Sequence, residues 1–123
     1  MKYEELTEKI IGCAIEVHRA LGPGLLESTY ERCLAREMFL QGISVELQVP
    51  VPVEYKGSIL DCGYRADMIV EKKVLIELKS VEQVSTVHEA QMLTYMKLAK
   101  VEVGLLINFN VNVLAQGIRR FVL

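Results

Sequence analysis

The hydrophobic period of this chain switches between helix and strand along its length, and each switch marks an element boundary. From Tyr3 to Ala20, with Leu21 just beyond, Leu6, Ile10, Cys13, Ala14 and Val17 recur at steps of three and four, the spacing of a helix with one buried face. Gly22-Pro23-Gly24 ends that helix, because proline cannot continue a helix interior and glycine accepts tight-turn angles. A second helix runs from Leu26 or Glu27 to Leu40, with Tyr30, Cys33, Leu34, Glu37 and Met38 as its inner stripe and Gln41-Gly42 as its stop. Then the period falls to two. From Val45 to Glu54 every odd position is apolar, which reads as one half-buried strand. Pro50 and Pro52 strip donors from one edge, so this strand is expected to be peripheral or bent.

Lys56-Gly57 and Glu71-Lys72-Lys73 are turn sequences. They separate strands at Ser58–Cys62, Tyr64–Val70 (with a break at Gly63) and Val74–Lys79, an antiparallel meander. A third helix follows Ser85 and Thr86, with Thr86 and Glu89 at capping-box spacing. That helix is long enough to carry the next strand, Val101–Phe109, back to a parallel position. A last short strand covers Ile118–Val122. The order of elements makes this an α/β chain of mixed α+β type, with a sheet covered by helices. At 123 residues, 51% hydrophobic and without repeats, it is expected to form one domain over 1–123.

Composition narrows the functional classes. No apolar run approaches the length of a membrane span. Glu4, Glu5 and Glu8 near the N-terminus argue against a secretory signal. Cys13, Cys33 and Cys62 are odd in number and far apart, which argues against both a disulfide framework and a thiolate zinc site and points to the reducing cytoplasm. A net charge of -2 does not suit a protein that coats nucleic acid through many lysines and arginines. It does allow a site that reaches phosphate through a metal held by its own carboxylates.

Such a site is written into Val74-Leu75-Ile76-Glu77-Leu78-Lys79. Alternation places Leu75, Glu77 and Lys79 on one face, so a carboxylate and an ammonium stand about 7 Å apart in an aliphatic strand. Asp67 lies on the strand before it, across a short link, within reach of a shared ion. Mg²⁺ takes one or two protein carboxylates, water and phosphate oxygens, a count that Asp67 and Glu77 meet. Lys79 would orient or help deprotonate a water and stabilise an anionic transition state. Spacing alone leans toward a solvated Glu77–Lys79 strand pair, because an acid followed two residues later by lysine is common by chance.

Asp67, then Glu77-Leu78-Lys79, then Gln91 on the following helix, resembles the PD-(D/E)xK nuclease superfamily. The chain is similar in particular to the GxxExxY family, named for Gly24-Leu25-Leu26-Glu27-Ser28-Thr29-Tyr30 as it stands here. The resemblance extends through Glu16-Val17-His18, Val49-Pro50-Val51, Gly63-Tyr64-Arg65-Ala66-Asp67, His88-Glu89-Ala90-Gln91 and Gly104-Leu105-Leu106-Ile107-Asn108-Phe109. It implies a restriction-endonuclease-like αβββαβ core with an extra N-terminal helix, and a nuclease using Mg²⁺ (or Mn²⁺) on DNA, with RNA as the alternative. Asp67, Glu77 and Glu27 would be its metal ligands, Lys79 its catalytic lysine and Gln91 a helix residue supporting the site or touching substrate. Two positions depart from the family pattern: Ala66 replaces a nominal proline, and Asn110 stands where glycine is usual.

The remaining candidates are weighed singly. The Tyr30 hydroxyl could fix Glu27 or simply tip a packed ring. His88 could touch substrate or help to end a loop, and His18 should complement its helix dipole. Arg65, reading as a neighbour of Asp67 on one face, is the first choice for a phosphate contact, ahead of Lys56, Lys72, Lys73, Arg119 and Arg120. Cys62 lacks partner spacing. The apolar strand Val45–Val53 leaves room for a homodimer. A rival reading keeps the scaffold without turnover, as a module binding nucleic acid or protein.

Overall fold

A computed structural model describes residues 2–123. Helix α1 spans Glu4–Leu21 and α2 spans Glu27–Leu40, each within a residue of the bounds read from periodicity. Strands β1 (Val45–Pro50), β2 (Val53–Tyr55), β3 (Ser58–Leu60), β4 (Arg65–Val70) and β5 (Val74–Lys79) follow, then α3 (Thr86–Ala99), β6 (Val103–Asn108) and β7 (Ile118–Val122). A five-stranded sheet has the order β1-β4-β5-β6-β7, while β2 and β3 form a separate hairpin. β5 and β6 run parallel, as a helical crossover allows, and the other neighbours are antiparallel. From α2 onward, with the hairpin set aside, the order is the αβββαβ of restriction-endonuclease-like folds, with α1 before it and β7 after it.

The sheet is the middle layer. On one side Ile10, Ala14 and Val17 of α1 and Leu34 and Met38 of α2 bury against Met68, Ile76, Leu78 and Leu105. On the other side Met92 and Met96 of α3 cover Leu75, Leu106 and Ile69. Clusters of this size bury many side chains worth roughly 1.5–3 kcal/mol each in transfer terms.

Two local expectations change. The segment Val45–Glu54 is two strands, not one: β1 sits at the sheet edge as the prolines required, and the chain then leaves the sheet at Val51-Pro52 to start the hairpin. The meander therefore skips β2 and β3. The capping box is Ser85 with His88, not Thr86 with Glu89: the Ser85 hydroxyl accepts from the His88 N–H at 3.3 Å and His88 Nδ1 accepts from the Ser85 N–H at 3.1 Å. Asn110, where the family pattern has glycine, does not have a positive φ, and its N–H donates to Asn108 Oδ1 at 3.2 Å.

Candidate active site

Ladder pairing between β4 and β5 stops at Met68↔Ile76. One step further on each strand stand Asp67 and Glu77. Along β4 the alternation fails here: Ala66 joins the α3-side core although Met68, two residues on, joins the opposite one. The splayed strands leave the Leu78 N–H without a ladder acceptor, and Asp67 Oδ2 takes it at 2.8 Å. A buried amide is thereby satisfied by the side chain whose role is in question.

Glu77 is 8% exposed, and its Oε1 has no hydrogen-bond partner. Burial pushes its carboxyl up to about 9, assisted by the neighbouring Asp67 charge and side-chain hydrogen bonding, and opposed by the Lys79 ammonium and a backbone hydrogen bond with Asp67. Asp67, Glu77 and half-buried Lys79 thus converge at the point where the strands separate. A buried carboxyl with an open oxygen beside a second carboxyl is a donor set that suits a hard divalent cation. Among the described residues no group of three or more His, Cys, Asp and Glu is close enough to hold a metal alone. Two carboxylates are the share that a hard cation takes from a protein when water and substrate phosphate complete its shell.

Glu27 is the first residue of α2 and is exposed. With Ser28, Glu31, Gln48, Asp67 and Leu78 it lines a cavity of about 170 Å³. The turn before it is clamped twice. The Tyr30 hydroxyl donates to Gly22 O at 2.5 Å and accepts from the Leu25 N–H at 3.1 Å, and Ser80 Oγ donates to Leu25 O at 2.7 Å. Tyr30 is fully buried and stacks on Phe109 with ring centroids 4.3 Å apart. Of the two readings of Tyr30, the geometry is that of the packed ring: the hydroxyl holds main chain rather than Glu27, and the ring is core.

Other candidates fall elsewhere. His88 is committed to its cap. His18 is buried, donating from Nε2 to Val111 O at 2.8 Å, so it ties α1 to the loop after β6 rather than merely facing a dipole. The Arg65 guanidinium donates to Tyr64 O at 3.2 Å and lies 4.0 Å from Asp61. Exposed Gln91 donates to the Tyr95 hydroxyl at 3.0 Å. That hydroxyl is shifted upward by burial first and by the charges of Glu77 and Asp67 after it, so Gln91 approaches the site through Tyr95.

Glu31, Gln48 and Tyr95 were not singled out from sequence. Glu31 and Tyr95 each lie one helical turn beyond a candidate, Glu27 and Gln91, and that spacing was a usable signal. Gln48 had none. Larger hollows occur away from these residues, such as one of about 400 Å³ between α1 and α2 lined by Cys13, Glu16 and Glu37.

A family model described as the PD-(D/E)XK nuclease superfamily matches residues 4–121. The chain belongs to that superfamily. No curated protein and no solved structure gives a significant match. Membership carries the expectation of a nuclease with a nucleic-acid substrate and a divalent metal. Among the described residues no helix is long and apolar enough to cross a membrane.

Proposed function

We propose that this chain is a Mg²⁺-dependent (or Mn²⁺-dependent) phosphodiesterase acting on DNA, with RNA as the alternative, and that within the superfamily it belongs to the GxxExxY group. The single observation that carries this reading is Glu77: buried, unpartnered at Oε1 and set against Asp67 beside a lysine. A surface ion pair would not leave a carboxylate in that state. Asp67 and Glu77 would hold the ion, with Glu27 across the cavity binding it or one of its waters. When bound, the ion supplies Lewis acidity and lowers the pKa of a coordinated water.

The protein's own groups do the rest. The Leu78 N–H fixes Asp67 through Oδ2, and Asp67 lines the cavity with Glu27. Lys79 places a positive charge where a phosphodiester gains negative charge at its transition state. Gln91, through Tyr95, closes the α3 side. The reading takes the chain as one domain in the reducing cytoplasm, consistent with three free cysteines, and leaves the exposed edge β1 for a homodimer.

The test is cleavage of plasmid, linear and single-stranded DNA and of RNA, with Mg²⁺ or with chelator. Metal-dependent cleavage lost by at least 100-fold in Asp67→Ala and Lys79→Ala is expected, the scale of losing a principal electrostatic catalyst. Cleavage undiminished in both variants would overturn it. The rival, a scaffold without turnover, draws on the net charge of -2 and predicts nucleic-acid or protein binding with no cleavage under any metal.

A further inference from the structure

We propose that Gln48 is a positioning residue for the Asp67 carboxylate, anchored in turn by Glu31. The inference rests on the metal site proposed above and adds a component to it. Gln48 lies within β1 yet has a φ of 50°, a left-handed conformation disfavoured for any residue with a Cβ. Its side chain is exposed, so packing does not account for the conformation. The carboxamide does: Nε2 donates to Glu31 Oε1 at 2.6 Å and to Asp67 Oδ1 at 3.4 Å. Asp67 Oδ2 is already held by the Leu78 N–H at 2.8 Å. One carboxylate is thereby braced on both oxygens, by the main chain of β5 and by a side chain of β1 that is itself tied to α2.

Glu77 provides the independent observation. It is more than nine-tenths buried, and its Oε1 has no partner while its carboxyl lies against Asp67. One acid is braced and the other is left open, the arrangement of a pair organised in advance for a cation. Backbone strain kept at such a place fits a functional residue, because the surrounding structure must over-determine it.

Mn²⁺ alone is titrated calorimetrically into the full chain, with a thermal melt of each variant. Gln48→Gly removes the carboxamide and accepts φ of 50° without a clash, so its melting temperature is expected to match or exceed the parent's. Its Mn²⁺ affinity should fall about 10-fold, the scale of losing an outer-shell partner. Glu31→Ala should show the same loss, and the double variant no more than either single one, because the two act as a unit. Gln48→Asn tolerates the backbone but falls one methylene short, and it should bind as weakly as Gln48→Gly. Parental affinity in Gln48→Gly and Gln48→Asn, or losses that add in the double variant, would overturn the positioning role alone. A parent chain that takes up no Mn²⁺ would overturn the metal site, and the role of Gln48 with it.

Discussion

A carboxyl group buried with one oxygen unpartnered works against folding once it ionises. Glu77 titrates near 4.5 when unfolded and at about 9 in the folded, metal-free chain. Between those values the folded state binds more protons, so metal-free stability is greatest below the lower one and falls as pH rises through the window. Glu77→Gln keeps a neutral group at every pH. In chelator at pH 8 it should raise the melting temperature by roughly 5 °C, with little change at pH 5, on the scale expected for a domain of this size. Differential scanning calorimetry at the two pH values checks this, and equal shifts at both would contradict it. The pair itself was visible in advance, a glutamate and a lysine two apart in an aliphatic strand, but spacing alone leaned toward a solvated pair, and only the resemblance pointed to a site. Gln48 was not legible, because its left-handed backbone is imposed by partners on α2 and β4 that lie 17 and 19 residues away. Tyr30 was legible as an aromatic on the Glu27 side of the helix, but the direction of its hydroxyl depended on how the Gly22–Leu25 turn folded back.

Among the elements, the β6–β7 corner sets the height of the lysine. Asn108 pairs in register with Lys79, and its side chain donates to Val81 O at 2.9 Å while accepting from the Val81 N–H at 3.1 Å, so it clasps the exit of β5. A Cβ on Gly117 would stand 2.1 Å from Asn108 O, a main-chain atom that cannot turn aside. Gly117→Ala should therefore destabilise the chain by about 1–3 kcal/mol, the usual scale of overpacking, and lower any cleavage rate by shifting β6 against β5. Chemical denaturation measures the first effect, and an unchanged midpoint would refute the packing argument. Helix bounds, the crossover to a parallel β6 and the peripheral β1 all followed from period and proline placement. The capping box slipped by one residue because Ser85 and Thr86 can both serve as caps, and only the observed backbone of Ser85 selects between them. The division of β1 from β2 escaped notice because the alternation of valines continues through the break.

For the whole molecule, the charges that could attract a polyanion are dispersed and partly spent. Arg119 binds Glu89 at 2.6 Å, Lys2 pairs with Glu102, and Arg65 lies beside Asp61. Affinity for nucleic acid would then depend heavily on the ion between substrate and acids. A ligand that binds only the folded state stabilises it by mass action. Mn²⁺ at about 100 times its dissociation constant should add about 2.7 kcal/mol, roughly 10 °C in melting temperature. Chelator should reverse the gain and Asp67→Ala should abolish it, as a melt followed by circular dichroism would show. An equal gain in Asp67→Ala would place the ion elsewhere.

The Leu78 amide has a consequence of its own. Its proton is bonded to a side-chain oxygen of Asp67 instead of to a neighbouring strand, so its nuclear magnetic resonance frequency follows the electron density on that oxygen. The domain carries a native reporter in the middle of its sheet. A single peak in an isotope-labelled spectrum would register the arrival of a cation before any nucleic acid is added.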